Sequence, residues 1–345
     1  MDTSNSKICP GAGTSFGAYG GTIIVTMELI TRHVPEISDL ESLFNEFPEL
    51  VRKENLGMVK AGSKTYPLYG LVIGTERPDA PTIGFFAGVH GLERIGSHVL
   101  LAFLRSLLTR ATWDDNWKTF FQNHRLVSIP VVNPAGFALN SRSNANGVDL
   151  MRNAPVEAEG KTILGLAGQR FSNKLPWFRG GEEFEQETQA VVDFVKKYMF
   201  ESKVLITLDM HSGFGMQDQL WYPWAKSAQV FPHGPQTKKL IDLFESAYPY
   251  HIYKIEAQHL SYTTHGDLWD WLYIEHQKLH LGTTYIPLTL EMGSWMWVRK
   301  NIWQLFTVEG LFNPVKKHRY ARTMRRHLHM MEFLLTSLSH SKNWS

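Results

Sequence analysis

The sequence predicts a single α/β domain, built on a mixed, mostly parallel twisted sheet of about eight strands flanked by helices. The chain has 345 residues and is 43% hydrophobic, so it can bury a large core. Its apolar runs are too continuous for half-exposed strands, which is typical of parallel strands that are buried on both faces. Amphipathic helical patterns alternate with these runs, as in α/β sheets.

The elements follow in chain order from these patterns. Residues 1–26, rich in Gly, Ser and Thr, are expected to form a flexible tail, and residues 27–345 the domain itself. A first helix is predicted in "SDLESLFNEFPELVRKE", with Ser38 as its N-cap. Buried strands are predicted at "TYPLYGLVIG", "TIGFFAGV", "RLVSIPVV", "KVLITLDM" and "YIPLTLEM". Further helices are predicted at "LERIGSHVLLAFLRSLLTR", "EEFEQETQAVVDFVKKYM" and "TKKLIDLFESAY".

A basic C-terminal extension, "KKHRYARTMRRHLHMMEFLLTSL", carries an apolar stripe of Met324, Leu328, Met331 and Leu335. This stripe predicts a helix docked on the domain with a solvated basic face. The formal net charge of +2 gives no reason to expect a nucleic-acid partner. No apolar run reaches the roughly 20 residues of a membrane span. The single cysteine, Cys9, cannot form an intrachain disulfide, so we expect a cytoplasmic protein without a membrane partner.

Polar side chains stand at the ends of four apolar runs. "FFAGVH" ends on His90, "SIPVVN" on Asn133, "LITLDMH" on His211 and "IPLTLE" on Glu291. Ligands of open α/β sheets bind outside the carboxyl ends of the strands. If these strands are neighbours, the four side chains converge on one patch of that edge.

Two histidines and a glutamate near this edge suit zinc, which takes imidazole and carboxylate ligands. The spacing H-x-x-E alone decides nothing, because it begins at His33, His90 and His329. Only His90 follows a buried strand, and its partner Glu93 opens the next helix. His211 would reach the same place from another strand. The context therefore predicts one zinc ion per chain, bound by His90, Glu93 and His211.

The order of the motifs is more specific than any one of them. "HGLE" is followed by "NPAGF", "GVDLMRN", "LDMHSG", a tyrosine and "TLE". This order resembles the zinc carboxypeptidase family of metallopeptidases, including its bacterial murein-peptide amidase relatives, from about Pro67 to about Trp295. The resemblance implies zinc ligands at His90, Glu93 and His211, and a peptide or N-acyl amino acid as substrate.

The resemblance also implies roles for side chains around the metal. Glu291 would be the general base, and Arg142 the arginine that polarises the scissile carbonyl. Arg152 would hold the terminal carboxylate of the substrate, with Asn153 beside it. Tyr262 takes the place of the family's mobile tyrosine. Peptide hydrolysis requires a proton acceptor and a group that stabilises the oxyanion, so these roles are chemically consistent.

Three features set this chain apart from the family pattern. Met151 stands where the family usually has asparagine, so one hydrogen bond to a substrate carboxylate is expected to be missing. Trp269 lies in the loop that shapes the family's specificity pocket, which predicts a pocket that is apolar or blocked and does not take a basic side chain. The segment "IEHQKLHLGTT" also lengthens the chain between Tyr262 and Glu291.

Three functions are compatible with these residues. The first is zinc-dependent hydrolysis of a peptide or amide bond next to a carboxylate-bearing residue, by a metallocarboxypeptidase or peptide amidase. The second is deacylation of N-acyl amino acids, of the aspartoacylase and succinylglutamate desuccinylase type. Such proteins usually carry a β-rich C-terminal domain, whereas the chain after Glu291 is short and helical. The third is a non-catalytic peptide-binding protein, against which the intact ligand set and Glu291 argue. The sequence favours the first.

Overall fold

The computed structural model describes residues 33–160, 162, 167–279, 282–300, 303–304 and 308–345. The expected tail at residues 1–26 lies outside the described residues, so the boundary at residue 27 stays a prediction. The described part folds into a single α/β domain, which confirms the predicted fold class.

Within the described residues, eight strands form one mixed sheet. They are β1 (Arg52–Ala61), β2 (Lys64–Gly74), β3 (Thr82–Ala87), β4 (Arg125–Ile129), β5 (Val204–Ser212), β6 (Gln219–Tyr222), β7 (Lys254–Ala257) and β8 (Thr284–Met292). Their spatial order is β1-β2-β4-β3-β5-β8-β6-β7. The central strands β4, β3, β5 and β8 are parallel. β2 runs antiparallel to β4, and β6 runs antiparallel to β8.

The continuous apolar runs form the centre of this sheet. Every residue of β3, β5 and β8 is buried. Successive side chains of a strand point to opposite faces, so Phe85 and Phe86 pack into different hydrophobic clusters. Burial on both faces removes the alternation of apolar and polar residues, which is why these strands read as continuous apolar runs.

Helices cover both faces of the sheet. They are α1 (Pro35–Glu46), α2 (Arg94–Ala111), α3 (Asp115–Asn123), α4 (Pro134–Leu139), α5 (Gln186–Met199), α6 (Gly234–Ala247), α7 (Leu268–Leu279), α8 (Trp295–Lys300), α9 (Val308–Phe312), α10 (Lys317–Arg326) and α11 (Leu328–Ser337). Residues of α1, α2, α3, α6 and α11 join one cluster, and residues of α4, α5 and α7 join the other. The sheet is therefore the middle layer of three.

Three strands and one helix boundary differ from the expectations. β1 is partly exposed along most of its length, while β6 and β7 have four residues each, so none of the three gives a continuous apolar run. The expectation that Ser38 is an N-cap is wrong, because α1 begins at Pro35 and contains Ser38. Proline suits this first helical position because its φ is already helical and the N–H that it lacks would have no partner inside the helix.

The basic C-terminal segment forms two helices rather than one, with His327 between them. Of the predicted apolar stripe, Met331 and Leu335 are fully buried, and Met324 and Leu328 are partly buried against the core. α10 carries most of the basic residues. Among the described residues, no helix combines the length and apolar character that crossing a membrane requires.

Candidate metal centre and active site

Three potential metal ligands meet at the carboxyl edge of the central strands. His90 lies just after β3, Glu93 precedes the first turn of α2, and His211 lies near the end of β5. The Nδ1 atom of His90 is 2.9 Å from Glu93 Oε1 and 3.2 Å from His211 Nδ1. His211 Nδ1 is also 3.2 Å from Glu93 Oε2. All three side chains are buried, and one ligand atom from each lies within 4.8 Å of the others.

The turn between β3 and α2 requires glycine at position 91. A Cβ at Gly91 would lie 2.1 Å from the backbone carbon of Gly136, so a side chain there would clash with the neighbouring backbone. The backbone N–H of Glu93 donates to the carbonyl of His90 over 3.1 Å, which closes the turn. Close backbone packing thus places the first two ligands side by side.

Two buried carboxylates lie behind the histidines, on the side away from the shared centre. Asp149 Oδ1 is 3.1 Å from His90 Nε2, and Asp209 Oδ2 is 2.9 Å from His211 Nε2. Carboxylates in this position fix the tautomer and the ring orientation of metal-binding histidines. Both Nδ1 atoms are thereby turned towards Glu93.

The charges around this centre favour a bound cation. Burial alone would raise the pKa of Glu93, but the adjacent imidazoles of His90 and His211 hold it well below its ordinary value. Burial opposes a charged His211, yet Asp209 and Glu93 raise the pKa of His211 well above its ordinary value. A positive charge between these groups is therefore stabilised, and two imidazole nitrogens with one carboxylate form a donor set that fits zinc.

Glu291 lies on β8 directly opposite His211 in the parallel pairing with β5. Its side chain is buried. Burial and the negative charge of nearby Glu93 raise the pKa of Glu291 to about 8. A cation held by the three ligands would favour the ionised form of this carboxylate, which is the form that accepts a proton.

Two arginines contact the carboxylates of this centre. Arg142 Nη1 donates to Glu93 Oε1 over 3.1 Å, and its Nε donates to Asp149 Oδ2 over 3.2 Å. Arg152 Nη1 donates to the same Asp149 oxygen over 2.8 Å. Burial would raise the pKa of Asp149, but Arg152 and Arg142 hold it well below its ordinary range. One ionised carboxylate therefore positions both arginines and His90.

Tyr262 borders the same space. Its ring packs edge-on against Phe214 and Trp221, with centroid distances of 5.6 and 5.7 Å. Burial raises the pKa of Tyr262 to about 12, and the charges of Arg152, Glu291 and Arg142 also act on it. Its hydroxyl therefore stays protonated and is a hydrogen-bond donor next to the arginines.

Two of the expected substrate-binding residues have other contacts. Asn153 Nδ2 donates to the carbonyls of Arg179 and Glu183, and its Oδ1 accepts from the N–H of Glu185, so its amide holds a neighbouring loop in place. The indole N–H of Trp269 donates to Asp209 Oδ2 over 2.8 Å. The structure brings these two side chains into the supporting structure of the site rather than beside the three ligands.

Sequence reasoning missed the two carboxylates behind the histidines. Asp149 stands in the "GVDL" motif, and Asp209 stands two residues before His211 on a strand, hence on the same face. This spacing of two residues on a strand could have predicted that Asp209 lies beside His211. For Asp149 the signal was the motif itself, without any indication of which ligand it contacts.

The fold and the site together define a class: an α/β domain with a mononuclear His-Glu-His metal centre at the carboxyl edge of its sheet. The family model for zinc carboxypeptidases matches residues 37–304. The chain belongs to the zinc carboxypeptidase family, as the order of motifs indicated. The expected zinc cofactor agrees with this membership.

Curated relatives include the carboxypeptidase N catalytic chain of Rattus norvegicus, 27% identical over 211 residues, which are 56% of this chain and 44% of that one. Carboxypeptidase D of Drosophila melanogaster is 27% identical over 186 residues, 51% of this chain and 12% of that one. The chain thus spans less than half the length of these relatives.

Solved structures share the fold. Carboxypeptidase A from Helicoverpa armigera matches with a TM-score of 0.66 and 19% identity, over 90% of this chain and 73% of that one. Bovine thrombin-activatable fibrinolysis inhibitor, in complex with tick carboxypeptidase inhibitor, matches with a TM-score of 0.63 and 19% identity, over 90% of this chain and 98% of that one. These likenesses confirm the predicted single-domain architecture.

Proposed function

We propose that this protein is a zinc-dependent metallopeptidase that hydrolyses a peptide or amide bond next to a carboxylate-bearing residue. The observation that carries the proposal is the convergence of three metal ligands, a buried carboxylate and two arginines at one edge of the sheet. Membership of the zinc carboxypeptidase family supports it.

His90, Glu93 and His211 would hold the metal. Zinc, when bound there, supplies the Lewis acidity that makes a water molecule nucleophilic at neutral pH. Glu291 takes the proton that this water loses as its oxygen attacks the scissile carbonyl carbon. The same carboxyl group then delivers the proton to the leaving amine as the C–N bond breaks.

Arg142 stabilises the negative charge that develops on the carbonyl oxygen. It is already positioned by Glu93 and Asp149, so little reorganisation is needed when the charge appears. A preorganised donor of this kind is worth about 3 to 4 kcal/mol of barrier. Tyr262, with its protonated hydroxyl next to the arginines, donates a hydrogen bond to the bound substrate.

Arg152 binds the substrate carboxylate. Its planar guanidinium suits bidentate capture of a carboxylate, and it is buried beside Asp149. Met151, where the family usually has asparagine, is buried and contributes no hydrogen bond from its side chain. The side chains left to recognise a terminal carboxylate are therefore Arg152 and Tyr262.

A cytoplasmic location belongs to the proposal, since the lone Cys9 requires no oxidising compartment. Subcellular fractionation with an antibody against the chain tests it.

The activity is tested by incubating zinc-loaded protein with peptides, murein fragments and N-acyl amino acids and measuring the products by mass spectrometry. Loss of a C-terminal residue, or cleavage beside a carboxylate, supports the proposal. Turnover of N-acyl amino acids alone would favour the deacylase. If the folded, zinc-loaded protein turned over none of these substrates, the result would favour a non-catalytic peptide-binding protein.

A further inference from the structure

The N-cap residue of α2 is the proposed metal ligand Glu93. Its side chain makes no capping hydrogen bond within the part of the chain that the structure describes. Its two carboxylate oxygens instead contact His90, His211, Arg142 and the backbone N–H of Ser212. The first N–H groups of a helix have no acceptor inside the helix. Because the carboxylate of Glu93 is used at the metal centre, these groups need an acceptor from another part of the chain.

Asn313, which lies between α9 and α10, supplies this acceptor. Its Oδ1 accepts the N–H of Ile95, the second residue of α2, over 3.0 Å. Its Nδ2 donates to the carbonyl of Leu92 over 2.7 Å. One hydrogen bond therefore lies before Glu93 in the chain and the other after it. The amide of Asn313 thus caps α2 from a position 218 residues further along the chain and holds the backbone on both sides of the ligand.

The segment that carries Asn313 also packs beside the other ligand strand. The carbonyl of Phe312 accepts the hydroxyl of Ser212 over 2.8 Å, and Ser212 directly follows His211 on β5. A Cβ at Gly213 would lie 2.6 Å from the ring of Phe312, so this ring lies directly against the backbone. The segment between α9 and α10 therefore contacts the chain next to two of the three ligands.

Gln304 holds the same segment in place. Its buried amide donates to the carbonyls of Gly310 and Asn313 over 2.9 and 3.3 Å. Its Oε1 accepts from Arg319 Nη1 over 3.3 Å. A cap that comes from a distant segment is effective only if that segment is already ordered, because ordering it would otherwise cost conformational entropy. The hydrogen bonds of Phe312 and Gln304 meet this condition.

We infer that Asn313 is a positioning residue that holds the ligand Glu93 in place for the metal. The inference rests on the proposed function, since it takes His90, Glu93 and His211 as the ligands. Without the amide, the N–H of Ile95 loses its acceptor and the backbone on both sides of Glu93 gains freedom. The metal must then order this backbone when it binds, and the entropy lost at that step lowers its affinity.

The zinc affinity of Asn313→Ala tests the inference. Competition with a chelator should give a dissociation constant about 10-fold higher than that of the wild type, at the lower end of the range for changes just outside the ligands. In the metal-free protein, hydrogen exchange measured by mass spectrometry should become faster in the peptide that contains residues 92–95. Neither measurement depends on turnover.

Asp114→Ala is the matched control. Asp114 caps α3 by accepting the N–H of Asn116 over 3.0 Å, so this variant also loses a helix cap. α3 follows the far end of α2, whose 18 residues span about 27 Å. The variant should therefore lose stability and keep the zinc affinity of the wild type.

Ser212→Ala is a milder second variant, because it removes only the hydroxyl that holds Phe312. It should weaken zinc binding by about 3-fold, since one neutral hydrogen bond is lost. In the double variant with Asn313→Ala, the two losses should add up to less than their sum, because both act through one segment.

Wild-type zinc affinity in Asn313→Ala, or an equal loss of affinity in Asp114→Ala, overturns the inference while the proposed function stands. A raised KM at saturating zinc with unchanged zinc affinity also overturns it, since Asn313 would then act on the substrate. If Asn313→Ala fails to fold, unchanged affinity in Ser212→Ala overturns it. A wild-type protein that binds no zinc instead contradicts the proposed function.

Discussion

His211 and Glu291 are directly paired on the adjacent parallel strands β5 and β8. One is a metal ligand and the other the proposed proton acceptor, so the register of the sheet sets their separation. A slip of one residue would turn either side chain to the opposite face. Nine paired positions, from Val204 with Thr284 to Ser212 with Met292, hold this register. The reactive geometry is therefore built into the most buried part of the fold.

The metal-ligand assignment is tested by His211→Ala. We expect about one zinc per chain in the wild type and loss of most of it in this variant, because one of three protein ligands is removed. Elemental analysis measures the content, and the shift in melting temperature on adding zinc measures binding independently of activity. His329→Ala is the control, since His329 also begins an H-x-x-E sequence but lies on α11. Full zinc retention in His211→Ala would refute the assignment.

Glu291→Gln tests the proton acceptor. The amide fits the same space but cannot take up the proton, so kcat should fall by at least about 100-fold while zinc and fold are kept. Steady-state kinetics on zinc-loaded protein measures this. Glu187→Gln is the control, because Glu187 is another buried glutamate whose pKa burial raises, and it contacts Asn144 instead of the ligands. Near-normal turnover in Glu291→Gln would mean that another group is the base.

Asp209 and Trp269 should support the metal without touching it. Asp209→Asn and Trp269→Phe each disturb the chain of contacts that orients His211, and we expect zinc affinity to fall about 10- to 100-fold for Asp209→Asn and less for Trp269→Phe. Competition with a chelator measures the affinity. Trp344→Phe is the matched control for Trp269→Phe. It also removes a buried indole N–H, but the acceptor of that N–H is the carbonyl of Ser337. Unchanged affinity in Asp209→Asn would show that Asp209 has no orienting role.

Arg152 should recognise the substrate carboxylate. Truncating one partner of a buried charge-assisted pair costs on the order of 2 to 5 kcal/mol, or roughly 30-fold to several-thousand-fold in kcat/KM. We expect a loss in the lower half of this range, because Met151 cannot supply the hydrogen bond that asparagine usually gives to the substrate carboxylate. Amidating the substrate should harm the wild type strongly and Arg152→Ala little. Equal harm in both proteins would make Arg152 structural and point to an endopeptidase or amide hydrolase.

His327 should make stability fall in mild acid. It is fully buried between α10 and α11, and burial lowers its pKa to about 4 from 6.5. The unfolded chain therefore binds the proton first, so stability decreases as the pH falls through the window between these two values. This group alone should cost about 2 kcal/mol between about pH 7.5 and about pH 5.

Urea unfolding at several pH values measures this contribution. In His327→Gln the drop in the free energy of unfolding should be smaller by about that amount, because glutamine does not titrate. His340→Gln, which changes an exposed histidine of the same segment, should keep the wild-type slope. An identical pH dependence in wild type and His327→Gln would contradict the prediction.

The sequence predicted the centre of the fold better than its edges. β3, β5 and β8 were readable because strands buried on both faces are continuous apolar runs. β1, β6 and β7 could not be predicted, because β1 is partly exposed and β6 and β7 are only four residues long, so that their pairing decides whether they form at all. α1 likewise begins at Pro35, where proline suits the first helical position, and not after Ser38 as the capping pattern predicted.

By itself, the sequence determined which side chains stand at the strand ends, and thereby His90, Glu93, His211 and Glu291, because strand direction and a single turn already fix their neighbourhood. Only the tertiary structure decided the partners of Asp149 and Asp209. Asp149 contacts His90, and Asp209 contacts Trp269, and both partners come from distant parts of the chain. Burial and hydrogen bonding over long sequence separations leave no local pattern, so the supporting charges of the site exist only in the folded chain.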